Sequence, residues 1–185
     1  MSVLASLKRL VAGSPEPVDR LYDAVVGAAR QPGWYVEGAV PDTLDGRFDA
    51  LVLVLALLML RLEAETGDNP RHPAARLSAD LADRFLTDME GNLRQDGIGD
   101  QAVPKHMGRM MAALGGRLGA YRAAGLDPAA MGQALQRNLY RGADVPAAAL
   151  AWSVAEACRL AARVGQSDFG QLKTGILDLD DCTTR

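Results

Sequence analysis

Few residues in this chain belong to types that do chemistry, and their spacing speaks against a reaction. His72 and His106 are the two histidines, with Cys158 and Cys182 farther along. A metal site draws several ligands from short spacings, and no such cluster is present. Gly97-Ile98-Gly99-Asp100-Gln101-Ala102 has the letters of the dinucleotide loop G-x-G-x-x-A. It follows a helical stretch instead of a strand and runs straight into Val103-Pro104, so the strand–turn–helix context fails. There is no G-x-S-x-G nucleophile turn and no G-x-x-x-x-G-K-S/T phosphate loop. Paired carboxylates such as Asp42 and Asp45 stand where a helix begins, and there anions favour the helix dipole. The expectation is a protein that is not an enzyme, with no catalytic residue, metal or cofactor.

The cationic residues are more informative. Net charge over all 185 residues is −3, yet residues 1–93 carry 9 basic and 14 acidic side chains while residues 94–141 carry 7 basic and 3 acidic. A basic middle between acidic ends steers partners of opposite sign, or packs against acidic helices of its own fold. Within Pro104–Arg122, at about 100° per residue, Met107, Met110, Met111, Leu114, Leu118 and Tyr121 share one arc. Lys105, His106, Arg109 and Arg117 fall on an adjoining arc, and Gly108, Ala112, Gly115 and Gly119 on the other flank. With Gly116, this helix holds four glycines, each costing about 1 kcal/mol of propensity relative to alanine. Close approach of a neighbouring helix would offset that cost. So would a shallow surface of small and methionine side chains that accepts an apolar helix from another protein.

The elements that position these residues read as helices throughout. Pro17 opens a pattern of Val18, Leu21, Val25 and Ala28 that closes before Gln31-Pro32-Gly33, and a loop follows through Trp34, Tyr35 and Gly38 to Pro41. Asp42 or Thr43 then caps a helix containing Ala50–Leu60, an apolar run too long for a strand and too short for a bilayer. Apolar on every side, it belongs at the centre of the core. Leu81, Phe85, Met89 and Leu93 mark the next helix, up to Gly97. Further helices span Pro104–Arg122 and Pro146–Val164, and one between them begins at Asp127-Pro128 with Gly142 past its end. The fold expected is all-α: a compact single-domain bundle around one very apolar central helix. Residues 1–16 read as an N-terminal amphipathic segment (Val3, Leu4, Leu7, Leu10, Val11), 17–165 as the helical domain and 166–185 as a weakly ordered tail. Hydrophobic content of 49% supports such a core, and two cysteines suit a reducing compartment.

Particular stretches resemble the ubiquinol–cytochrome c chaperone family. They are Val40-Pro41-Asp42-Thr43-Leu44-Asp45-Gly46-Arg47-Phe48 and Asp88-Met89-Glu90 with Leu93-Arg94. Gly97-Ile98-Gly99-Asp100, Val103-Pro104-Lys105, Gly116-Arg117 with Ala120-Tyr121, and Leu135 with Arg137-Asn138 extend the likeness. The similar stretch covers residues 18–142. Family members often carry an aromatic pair before the Gly-Arg, where this chain has Leu114-Gly115.

The resemblance implies an assembly chaperone for the respiratory cytochrome bc1 complex (complex III) that holds newly made cytochrome b. It also implies a small partner protein and the ribosome as further contacts. Without a convincing organellar presequence, the chain looks like a bacterial member acting in the cytoplasm, peripheral at the inner membrane. Contacts to client or partner would fall on Lys105, Met107, Arg109, Met111, Gly115, Arg117, Gly119, Tyr121, Arg137 and Asn138. Asp42, Thr43, Asp45, Gly46, Arg47, Gly97, Gly99 and Asp100 would be architectural. The rival is a helical adaptor or oligomeric scaffold with no membrane-protein client.

Overall fold

Proline and short polar side chains set where the helices begin. The computed structural model describes residues 16–95 and 102–179. Its helices are α1 (Pro17–Ala29), α2 (Gly33–Val36), α3 (Leu44–Thr66), α4 (Pro73–Gln95), α5 (Val103–Ala124), α6 (Pro128–Asn138), α7 (Ala147–Gly165) and α8 (Phe169–Lys173). No strand occurs among the described residues. Prolines sit in the first turns of α1, α5 and α6, where the missing N–H would have had no partner anyway. Thr43, Asp127 and Asp168 cap α3, α6 and α8 by accepting backbone N–H groups from Gly46, Ala130 and Gln171 at 3.1, 2.7 and 3.0 Å.

Ala50 to Leu58 of α3 are buried at every position. A helical stretch that is apolar on every side has no face it can offer to water, so neighbours must surround it. Helices α1, α4, α5 and α7 pack against it. Its entry is fixed by the preceding connection. Trp34 donates from Nε1 to the Ala28 carbonyl at 3.1 Å and meets Trp152 of α7 edge-on, ring centres 5.5 Å apart. The Tyr140 hydroxyl donates to the Gly38 carbonyl at 2.6 Å and lies 2.6 Å from Ser153 Oγ. Gly46 is needed for close approach, because a Cβ there would lie 2.0 Å from the Pro41 carbonyl oxygen.

Two expectations need correction. The segment after Gly33 contains helix α2, a single turn too short to leave a periodic signature. Residues 166–179 are not a loose tail: α8 packs on α1 and α4, Leu172 and Leu179 are buried, and Arg163 Nη2 holds Asp178 at 2.8 Å. The amphipathic pattern within residues 1–15 lies outside the described residues, as do Gly97, Gly99, Asp100 and residues 180–185.

Candidate functional site

The strongest polar feature is a carboxylate buried at the start of the apolar helix. Asp49 of α3 is 1% exposed. Its Oδ1 accepts from Arg117 Nη2 of α5, and its Oδ2 accepts from Arg141 Nε at 2.5 Å. Arg141 extends the cluster by donating from Nη1 to Asp45 Oδ2 at 2.6 Å, and Arg117 Nη2 reaches the Asn138 carbonyl at 3.2 Å. The Arg117 guanidinium also lies 5.5 Å from the centre of the Phe48 ring. Burial pushes the Asp49 carboxyl above its ordinary pKa, and the two guanidiniums pull against that shift. The hydrogen bond to Asp49 in turn holds Arg141 above the usual arginine value. Arg141 has φ of 54°, the left-handed region where a side chain costs about 1–2 kcal/mol. That conformation aims its guanidinium at both carboxylates.

Beside this cluster a groove of about 760 Å³ opens between α1, α3, α4 and α5. Val26, Leu44, Phe48, Leu51, Met89, Leu93 and Met110 give it apolar walls, and Arg30, Arg47, Arg109, Arg117 and Arg141 give it positive charge. Asp45 and Asp88 also line it, but Asp45 is paired with Arg141 and Asp88 accepts from the Tyr22 hydroxyl at 3.0 Å. Burial and Asp88 together push the Tyr22 phenol well above its usual range. The lining's one histidine, His106, has a ring nitrogen 3.3 Å from Arg109 Nη2. Among the described residues no group of three or more His, Cys, Asp or Glu converges as a metal site would require. The arrangement suits binding of an apolar, negatively charged surface.

The residues singled out in the sequence do not form one face. Arg109 lines the groove, while Lys105 is exposed and Met107 packs half-buried on the core. Met111 is 39% exposed, and Gly115 and Gly119 have nothing within 4 Å of an added Cβ. The same holds for Gly108 and Gly116, so no helix among the described residues presses on the glycine flank. Arg117 is a correction. It is a buried ion-pair partner, only 9% exposed, and does not stand on an open basic arc. Tyr121 is likewise buried, and burial pushes its phenol well above its usual range. The buried positions Leu114, Arg117, Tyr121 and Ala124 follow three- and four-residue steps, so the inward face of α5 is turned toward Arg117 and away from Met111. Arg137 lies in a second, shallower groove between α6 and α7, whereas Asn138 uses its carbonyl to hold Arg117.

Of the architectural set, Thr43 caps α3, Arg47 Nε reaches Asp42 Oδ1 at 2.6 Å, and Asp45 takes Arg141. Sequence reasoning missed Asp49, Arg141 and the groove wall at Phe48. A clue was present, since Asp49 is an acidic residue directly before Ala50, where the apolar run begins. A charge carried into a core needs an opposite one.

Comparison with known proteins adds to this geometry. The model of the family described as "Ubiquinol-cytochrome C chaperone" matches residues 37–174, so the likeness runs past residue 142 through α7 and α8. The crystal structure of the Cbp3 homolog from Brucella abortus is similar, with TM-score 0.77 and 32% identity over 97% of each chain. No curated protein matches the chain.

Proposed function

The chain belongs to the ubiquinol-cytochrome C chaperone family, and from that premise we propose that it holds newly made cytochrome b during assembly of the bc1 complex. The observation that carries the assembly role is the family match, which spans α3 to α8 with the Asp49 cluster and the groove walls of α3, α4 and α5. The open flank of α5 supports the client. Met111 and the uncovered Gly108, Gly115 and Gly119 form a pliable surface with no internal partner among the described residues. A nascent membrane helix in water gains about 25 cal/mol for each Å² of apolar surface it covers, and methionine adapts to irregular shapes. Lys105, exposed on α5, would meet acidic loops at the edge of that contact, and Arg137, exposed in the separate groove of α6 and α7, would meet others. In this reading the protein acts without catalysis, at the cytoplasmic side of the inner membrane, where a small partner protein and the ribosome bring it to the client. No helix among the described residues is long and apolar enough to cross a membrane.

Placing a photo-crosslinking amino acid at Met111 in cells tests the client. The expected adducts contain cytochrome b peptides. Adducts made only with soluble proteins would instead favour a helical adaptor without a membrane-protein client.

A further inference from the structure

We infer that the groove between α1, α3, α4 and α5 is a docking site for an amphipathic helix of a protein partner that presents carboxylates beside its apolar face. This goes beyond the reading above and does not depend on which protein is the client. The argument starts from how the groove's cations are used. Arg47 is held by Asp42, Arg117 by Asp49, and Arg141 by Asp45 and Asp49. Arg30 and Arg109 also face the groove, and neither has a carboxylate partner among the described residues. Arg30 follows the last residue of α1, and Arg109's neighbour is the His106 ring. Asp88 also lines the groove and its Tyr22 partner is neutral, so one carboxylate stands against these two guanidiniums, and among the described residues the excess is a positive charge that an incoming anion meets.

The walls between them select what carries that anion. Phe48, Leu51, Met89 and Met110 form an apolar surface, and Leu44 at the rim is 76% exposed, the most exposed large apolar side chain among the described residues. A volume of about 760 Å³ suits the anchor side chains of a short helix lying in a cleft at i, i+3/i+4 and i+7 spacing. A nucleic acid would want a run of cations tracking its phosphates, with flat faces for stacking. Here three of the five arginines are already bound to carboxylates. A lipid surface is met by an exposed apolar face; here Arg30 and Arg109 are exposed, but Leu51 and Met89 are buried and Phe48 and Met110 half-buried between four helices.

The test uses the purified full chain and three probes: a fluorescent amphipathic peptide of Leu, Ala and Glu, its counterpart with Lys in place of Glu, and phosphatidylglycerol–phosphatidylcholine vesicles. Fluorescence anisotropy should show the Glu peptide binding at least about tenfold more tightly than the Lys peptide, about 1.4 kcal/mol. The double variant Arg30→Glu/Arg109→Glu should reverse that preference. Its melting temperature should stay within a degree or two of the parent, because both side chains are exposed and neither has a carboxylate partner among the described residues; Arg30→Gln/Arg109→Gln serves if the reversal does not fold. Equal binding of both peptides, or a preference unmoved in both variants, overturns the inference. Vesicle binding lost in the variants, without peptide binding, overturns it in favour of a lipid. Bc1 complex levels in cells carrying the variants report separately on the chaperone reading, which can stand while this site fails.

Discussion

Asp49 brings a negative charge to the start of the apolar run of α3, and its two arginines come from far along the chain. Removing one partner of a buried ion pair leaves the other charge desolvated and uncompensated, at a cost of about 3–5 kcal/mol. Asp49→Ala strands Arg117, which is only 9% exposed, so urea denaturation should show a loss of that size. Arg141→Ala should cost less, about 1–3 kcal/mol, because Asp49 keeps Arg117 while its buried Oδ2 loses a donor, and the strained φ is relieved little. Equal losses for the two substitutions would contradict this ranking. Arg117→Glu would set two carboxylates together in the core, so it tests stability and cannot serve as a clean probe of an outer surface. A cap at Asp42 or Thr43 was legible, and Thr43 is the one that forms it, because capping is local chemistry between residues three apart. The Asp49–Arg117 and Asp49–Arg141 pairs span 68 and 92 positions, and no local rule links residues at such separations.

At the scale of elements, α5 shows what periodicity can and cannot settle. The helix was legible from Pro104 at its start, while its end, expected at Arg122, lies at Ala124 with Gly125 as the cap. Its rotation was not, because an apolar stripe gives no reason to turn inward over an arginine unless the distant Asp49 is known. The short helices α2 and α8 were missed for a simpler reason: four or five residues complete barely one turn and repeat no pattern. The glycines divide into two physical kinds. Gly115→Ala and Gly119→Ala add a Cβ into open space within a helix, so each should stabilise by about 0.5–1 kcal/mol. If the α5 flank seats the client, the same substitutions lower crosslinking to cytochrome b while raising the melting temperature. Gly46→Ala should instead destabilise, because its Cβ would collide with the Pro41 carbonyl at the entry to α3. A stabilised Gly46→Ala variant would mean that this turn is looser than its geometry indicates.

For the whole molecule, an all-helical fold followed from composition and from the helix punctuation by Pro and Gly. The family followed from short stretches that are weak singly and specific together. The functional surfaces were less legible. The basic middle segment divides among a buried pair in Arg117, a groove wall in Arg109 and a separate groove in Arg137. Counting charges by segment cannot show that division. The central claim is that this chain supports bc1 assembly by binding a protein. It is tested most directly by deleting its gene and measuring assembled, quinol-oxidising bc1 complex in membranes, with the wild-type chain restored as control. The account predicts a marked deficit that the restored chain repairs. Normal amounts of active complex in the deletion strain would contradict it.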